Sequence, residues 1–519
     1  MEVGKVRSSQ GDKVDLLVTA DVDVSFGQIV KLRKAEGGGR IFYARVTNAG
    51  SCSTLREVDE LRDLKGSMRT IGPYSQYRHV EAILFLERDT GGKLRSPTLN
   101  PDYGWSAETL SAEDYEGLAL SGELKLGYLR EGGRGAVKDV VVGLDIDFIP
   151  RMAAMVGQIG SGKTNAELVL NSEVMASLGK AVGLIFDFAG ELLTGKNIGR
   201  GLADHPLASS LLEYVGVEAP RAKVSYSFLR VGLKDLDPHK LGWLLPDLTM
   251  PQMHYALKLR QALGEGWVEK AVKRYRDEDV DGVKRVAKGS NQAIEALMRK
   301  LSNLDEMVFQ LDHEYDVAGR ILEALVGGRT VLVDISGLSE ETQRQIVTWI
   351  VSRVISYYRE AWRTNYEGWL KLPYLLITLE EAHKFLEERG GIFSDIALTH
   401  RKYRVGLNAV TPRPSLINRD VFAELWTKLI LKTTLKEDRN YLVENTPYLE
   451  YSDVEIKMLD VGEALLVSQP KIQFAVPIKI FDYKEYLEEH LKPKIESFKA
   501  SFEAREAEIK QTRYEENVL

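Results

Sequence analysis

Short apolar runs broken by glycine-rich turns fill the first hundred residues, and longer buried-type strands alternating with helices fill most of the rest. Val14-Asp15-Leu16-Leu17-Val18 and Gln28-Ile29-Val30-Lys31-Leu32 are rich in branched residues and predict strands. Gly37-Gly38-Gly39 predicts a turn, and Arg40-Ile41-Phe42-Tyr43-Ala44-Arg45-Val46 predicts the returning strand of a hairpin. Short strands at this spacing predict a small N-terminal β-barrel over residues 1–95. A plain β-sandwich, or an edge extension of the next domain, fits the same pattern.

Residues 96–135 are rich in glycine, serine and acids and read as a linker with short elements. From residue 136 the pattern changes. Lys138 to Leu144 and Met152-Ala153-Ala154-Met155-Val156 read as strands, the second ending in a glycine-rich loop, and Asn165 to Leu178 reads as a helix. Val182 to Asp187, Thr330-Val331-Leu332-Val333-Asp334 and Tyr374 to Leu379 are further near-continuous apolar strands. Such strands alternating with helices predict an α/β domain whose mainly parallel sheet is covered on both faces, spanning residues 136–484. A helical pattern at about 235–325, as in Met253 to Leu259, reads as an insertion in that domain. The tail, 485–519, is charged and helix-prone, with Glu488, Glu489, Lys492, Lys494 and Glu496. Its charge run fits either a solvated helix face or a docking element for a neighbouring subunit.

A length of 519 residues exceeds one ordinary core and calls for two or three structural units. Hydrophobic residues at 44% and charged residues at 28% exclude a disordered chain. No apolar stretch approaches the roughly 20 residues that span a bilayer. Met1-Glu2-Val3-Gly4-Lys5-Val6 lacks the basic-then-apolar layout of a secretion signal, so a cytoplasmic protein without membrane insertion is expected. Cys52 is the single cysteine, which excludes an internal disulfide and a multi-cysteine zinc site. A net charge of −7 argues against a uniformly basic nucleic-acid coat but permits a narrow channel lined by a few basic loops repeated by symmetry.

Gly157-Gln158-Ile159-Gly160-Ser161-Gly162-Lys163-Thr164 matches the phosphate-loop pattern completely, between an apolar strand and a helix. The glycines let successive backbone N–H groups point at phosphate oxygens, and the helix N-terminus adds partial positive charge. Gly157, Gly160, Ser161, Gly162, Lys163 and Thr164, with the flanking Asn165, form the expected nucleotide-binding set. Lys163 would reach the β- and γ-phosphates and the Thr164 hydroxyl would ligate Mg²⁺. Glu380-Glu381 closes a buried strand: the first acid is placed to hold the Mg²⁺ shell, the second to polarise a water for attack on the γ-phosphate. An Asn-Lys-x-Asp motif for guanine is not apparent, so ATP is the expected nucleotide. His383, two residues on, either senses the nucleotide state or packs.

Leu376-Ile377-Thr378-Leu379-Glu380-Glu381-Ala382-His383 resembles the acid motif of the HerA family of hexameric DNA translocases, within the FtsK–HerA group of P-loop ATPases. Asp187-Phe188-Ala189-Gly190-Glu191 is similar to that family's Asp-x-x-Gly-Glu segment, and Val333-Asp334-Ile335-Ser336 to another of its strands. Arg151 resembles a basic position before the loop strand and joins the nucleotide-binding set on that ground. Arg401-Lys402-Tyr403, Gly406-Leu407, Arg413-Pro414-Ser415 and Gly462-Glu463-Ala464 resemble further family stretches. The chain departs from the pattern at Pro412, where the family has a γ-phosphate-sensing glutamine, and at His400 and Arg404, where it has glycines.

The resemblance implies a RecA-like P-loop ATPase core with a small barrel of the HAS type. It also implies a homohexamer binding ATP and Mg²⁺ between subunits, double-stranded DNA as the substrate, and a NurA-like nuclease docked on the barrel side in DNA-end repair. An arginine from one subunit would reach the γ-phosphate of its neighbour. Arg401 is the first choice and Arg404 the rival, a surface ion pair being the plainer role for either. Asp187, Glu191 and Arg413 are further candidates. A motor of conjugation or secretion, and an ATP-gated ring that scaffolds a defence effector, are the competing functions.

The DNA track is less legible. Lys270, Lys273, Arg274, Arg276, Lys284, Arg285 and Lys288 cluster around Tyr275, but Asp277, Glu278, Asp279 and Asp281 interrupt them. A solvated helix face fits this cluster better than a DNA groove. Lys196 and Arg200, flanked by Gly195 and Gly199, suit a flexible pore loop or ordinary surface charge. No nuclease constellation stands out, so any cutting would come from a partner.

Overall fold

A computed structural model describes residues 1–18, 22–34, 39–53, 76–118, 120–131, 136–288, 291–498, 500–501 and 503. Seven strands come first: β1 (Glu2–Gln10), β2 (Lys13–Val18), β3 (Ile29–Arg33), β4 (Ile41–Ser53), β5 (Gln76–Arg88), β6 (Leu94–Arg95) and β7 (Ser106–Thr109). All pair antiparallel, and the ring β1-β2-β5-β4-β3-β7 returns to β1. Six strands thus close on themselves and leave no open edge, which settles the choice between barrel and sandwich. Alternation along β2 sends Val14, Leu16 and Val18 inward to meet Val30, Leu32, Phe42, Ala44 and Val80. The outward Ile29, Tyr43 and Phe85 pack on the second domain, where the Phe85 ring stacks on Phe474 at 3.9 Å. Arg45 of β4 pairs with Glu455 across the same junction, and Arg130 adds a second guanidinium to that carboxylate at 2.5 Å. The glycine turn read at Gly37-Gly38 lies outside the described residues.

The linker reading of 96–135 needs correction. Ser106–Thr109 supplies the strand that closes the barrel, and Leu124–Arg130 joins the large sheet. A four-residue strand with one threonine gives almost no pattern of its own; it forms because the edges of β1 and β3 need partners for their backbone groups.

The second domain is built on β8 (Leu124–Arg130), β9 (Ala136–Leu144), β10 (Ala153–Val156), β11 (Ala181–Asp187), β12 (Leu212–Gly216) and β13 (Ser225–Phe228). A two-residue pair, β14 (Val231–Gly232) and β15 (Phe309–Gln310), brackets the helical insertion. Then come β16 (Thr330–Asp334), β17 (Tyr374–Leu379), β18 (Val405–Thr411), β19 (Thr427–Leu431), β20 (Glu463–Ser468) and β21 (Ile472–Ile480). The sheet order is β13-β12-β16-β11-β17-β18-β10-β19-β20-β21-β8-β9, parallel from β13 to β19 and antiparallel beyond. Every residue of β11 and β18 is buried, as strands covered by helices on both faces require.

The insertion carries helices Met250–Leu263, Trp267–Ala287 and Asn291–Ser302, anchored by the buried Trp267, whose indole N–H donates to the Leu236 carbonyl at 2.8 Å. The described part of the tail turns Tyr483, Tyr486, Leu487 and Leu491 inward and leaves Glu488, Glu489, Lys492 and Glu496 in solvent. It docks on its own subunit: Lys494 reaches the buried Glu173 at 2.6 Å, and the Tyr486 hydroxyl donates to the same carboxylate at 2.8 Å. Among the described residues no helix is long and apolar enough to cross a membrane.

Candidate nucleotide site

In a parallel sheet the strands' carboxyl ends share one edge, and there the chemistry collects. β10 delivers Gly157–Thr164 to that edge between β18 and β19. Gly160 and Gly162 hold φ of 79° and 100°, a region that side chains avoid. A Cβ on Gly162 would also lie 3.0 Å from the Gly462 backbone nitrogen, which itself donates to the Ser161 carbonyl at 3.0 Å. The Gly462-Glu463-Ala464 segment therefore clamps the loop. The Gln158 side-chain oxygen accepts from the Thr434 N–H and hydroxyl at 3.1 and 2.7 Å. The following helix, Lys163–Met175, is buried from Ala166 onward.

Lys163 folds over the loop, its ammonium donating to the carbonyls of Gly157 at 2.6 Å and Gln158 at 3.0 Å. Burial lowers its pKa while the nearby Glu167, Glu381 and Glu380 oppose that shift. The Ser161 hydroxyl is buried with no partner in the protein. A free buried hydroxyl and an ammonium held only by loop carbonyls fit a phosphate chain, which would take both.

β11, β16 and β17 are neighbours and bring Asp187, Asp334 and Glu380 to one edge. Burial, reinforced by the Asp187 charge, pushes Glu380 up to about 8, although its carboxylate accepts the Phe188 N–H at 2.9 Å. Glu167, fully buried one turn into the loop helix, is raised well above the carboxylate range by burial and then by Glu380, and one of its oxygens has no partner. Acids whose pKa values burial and mutual repulsion raise, beside a lysine, are a donor set that a divalent cation would suit. Glu381 differs: half-exposed, it adopts φ of 49°, a conformation a non-glycine residue holds only under constraint from its surroundings. Its carboxylate lies 3.6 Å from His383 Nδ1, which also meets the Thr411 hydroxyl at 3.1 Å. That hydroxyl accepts the Arg413 N–H, so the second acid is connected to the end of β18.

The family model for the central domain of helicase HerA matches residues 124–354, the span carrying the loop and its flanking strands. The DNA double-strand break repair helicase HerA of Saccharolobus solfataricus is 25% identical over 92% of this chain and 92% of its own length. The protein of the same name from Sulfurisphaera tokodaii is 26% identical over 75% of each chain. Residues 124–354 are thus similar to the central domain of helicase HerA, and most of the chain is similar to proteins named for that helicase. Among solved structures it is similar to VirB4 of Thermoanaerobacter pseudethanolicus, with 14% identity, a TM-score of 0.44, and coverage of 69% of this chain and 96% of that one.

The residues chosen from sequence divide into three groups. Gly157, Gly160, Ser161, Gly162, Lys163 and the half-buried Thr164 form one cradle with Glu380 and Glu381 beside it. Asp187 is beside them, but its two oxygens accept the N–H groups of Ala189, Gly190, Glu191 and Leu192 at 2.6 to 3.2 Å, so it shapes the turn after β11. Glu191 is engaged by Asn197. Arg413 lies at this edge, half-exposed and 3.4 Å from the buried Asp438.

Two residues of the expected nucleotide-binding set engage other partners within this subunit. The Asn165 amide donates to the Phe481 carbonyl at 2.8 Å and accepts the Tyr483 N–H at 2.9 Å, so it ties the tail to the loop helix. Arg151 precedes β10 at its amino end, with the whole strand, roughly 13 Å, between it and Gly157, and pairs with Asp147 at 2.6 Å. Arg401 and Arg404 share that far edge. Arg401 pairs with Glu424 over the Trp426 ring at 4.2 Å, and Arg404 lies over Tyr374 at 4.1 Å.

The basic cluster of the insertion is a solvated helix face. Arg276 pairs with Glu306 at 2.9 Å, Arg285 with Glu278, and Lys270 caps the Leu263 and Glu265 carbonyls. Arg200 pairs with Asp204 at 3.0 Å. Sequence reasoning missed Glu167, Asp334 and Lys428. Glu167 had no local signal, because its helix interleaves Asn171, Ser172 and Glu173 with apolar residues and yet is buried from Ala166 onward.

Lys428, 2% exposed on β19, donates to the Leu425 carbonyl at 2.5 Å, with the Phe422 ring 4.8 Å away. Burial lowers its pKa from 10.5 to about 7. The unfolded chain binds this proton more tightly, so the lysine weakens the fold fully at or below pH 7 and progressively less as pH rises toward 10.5. The wild type should gain about 2 kcal/mol from this group between pH 7 and pH 9, a gain that Lys428→Met abolishes. Urea unfolding at the two pH values measures it, and an unchanged pH slope in the variant contradicts the assignment.

Proposed function

We propose that this chain is an ATP-driven translocase of double-stranded DNA that works as a hexameric ring in DNA-end processing. Mg²⁺ and ATP would lie between subunits, and a NurA-like nuclease would dock on the barrel side. The carrying observation is the separation of charges across one sheet: Lys163, Glu380 and Glu381 stand at the carboxyl edge of the parallel strands, Arg151, Arg401 and Arg404 at the amino edge. None of those three arginines can reach its own subunit's loop, whereas in a ring the amino edge of one subunit can face the carboxyl edge of the next. Relatives named as DNA double-strand break repair helicases support DNA as the substrate.

The loop N–H groups and Lys163 would bind the phosphates, with Thr164 and Glu380 holding Mg²⁺, whose charge would offset that developing on the phosphates. Glu381, accessible and positioned by its strained backbone and His383, would orient and deprotonate the attacking water. Arg401 would arrive from the neighbour.

Displacement of a third strand from linear duplex DNA tests the motor itself. Wild type should strip it only with hydrolysable ATP. Arg401→Ala should bind ATP as before yet hydrolyse it roughly a hundredfold or more slowly and strip nothing. Hydrolysis without displacement by the wild type would favour an ATP-gated scaffold and overturn the motor.

A further inference from the structure

At the outer edge of the large sheet lies a feature that the ATP site does not use. The segment Arg221-Ala222-Lys223-Val224-Ser225-Tyr226-Ser227-Phe228-Leu229-Arg230 contains three cations, two aromatic rings and no acid. Its centre is β13, the terminal strand of the sheet. Arg221, Lys223 and Arg230 are exposed, and none is paired with a carboxylate among the described residues. Tyr226 and Phe228 are 48% and 39% exposed and project to the same side of the strand, their rings 5.6 Å apart and nearly perpendicular. The Arg230 guanidinium lies 5.2 Å over the Phe228 ring.

Tyr226, Phe228 and Arg230 line an open cavity of about 620 Å³ together with Tyr315, 41% exposed, Arg320 and His313. Its floor is fixed. Arg329 and Glu213 form a buried ion pair at 2.5 Å, and the Ser227 hydroxyl donates to Glu213 at 2.9 Å. Glu213 is thereby neutralised, and Glu323, the other acid of the cavity, pairs with Arg320 at 3.2 Å. What remains toward solvent is a positive, ring-lined groove.

We propose that β13 and its flanks bind single-stranded DNA, unpaired bases stacking on Tyr226, Phe228 and Tyr315 while Arg221, Lys223 and Arg230 meet the phosphates. Rings flanked on both sides by cations offer a single strand stacking surfaces for its bases and partners for its phosphates. A duplex hides its base faces in the stack and would leave the three rings unused. The proposal rests on the DNA-motor reading and deepens it: a strand opened at a DNA end has its own seat, at the opposite side of the sheet from the barrel-side strands β8 and β9.

The full-length protein, without ATP, is titrated with a fluorescein-labelled thymidine oligonucleotide and followed by anisotropy at several salt concentrations. Tyr226→Ala/Phe228→Ala should weaken binding roughly tenfold or more. Arg230→Ala should weaken it and reduce the salt slope by about one. An oligonucleotide carrying 5-iododeoxyuridine should cross-link in the wild type to the peptide containing Tyr226 and Phe228. Wild-type affinity in the double variant, a cross-link mapped elsewhere, or a wild type that captures no single strand overturns the proposal; the last two outcomes include a groove that serves a protein strand instead. Duplex-stimulated hydrolysis is recorded on the same samples. Its absence from the wild type counts against the motor alone, whereas its persistence in a double variant that has lost the oligonucleotide supports a separate single-strand face.

Discussion

Lys163→Ala should lower ATP hydrolysis by at least about a hundredfold and leave the unfolding temperature close to that of the wild type. The ammonium lies between the loop and its neighbouring acids, and its hydrogen bonds run to the Gly157 and Gln158 carbonyls that frame the cradle. Removing it takes away the charge that would follow electrons onto the γ-phosphate. The fold should tolerate the loss, because burial already drives Glu167 and Glu380 toward their protonated forms, so the variant leaves few uncompensated charges. Steady-state hydrolysis with a thermal melt measures both effects. A variant with more than a tenth of wild-type activity would remove Lys163 from the mechanism.

Glu381→Gln should separate binding from chemistry. The amide keeps the size and the contact with His383 but cannot accept a proton, so hydrolysis should fall by roughly 10²- to 10⁴-fold while a fluorescent ATP analogue still binds with near wild-type affinity. Glu380 and Glu381 are adjacent in sequence yet differ in kind: Glu380 is partly buried, accepts the Phe188 N–H and is raised to about 8, and Glu381 is half-exposed on a positive-φ turn. Equal loss of binding and hydrolysis in Glu381→Gln would assign it to holding the nucleotide rather than to activating water.

What could be read in the chain follows from how locally each feature is encoded. β11, β16 and β17 announce themselves as continuous apolar runs because parallel strands are buried on both faces, and the phosphate loop is local by nature. β13 does not. An edge strand alternates exposed and half-buried positions, and Ser225-Tyr226-Ser227-Phe228 shows no apolar run. β7 forms only because the barrel must close. Arg151 joined the set by resemblance; it stands only six positions before Gly157, but β10 carries the two to opposite edges of the sheet. Asn165 follows Thr164 directly, yet its amide is drawn off by the tail more than 300 residues later. Lys428 was illegible for a related reason: nothing beside it in sequence reveals that β10 and β20 will enclose its strand.

ATP hydrolysis by the purified chain, with and without linear duplex DNA, tests the central claim most directly. Severalfold stimulation by DNA in the wild type is the predicted result. Hydrolysis that is present but indifferent to DNA would contradict the translocase account.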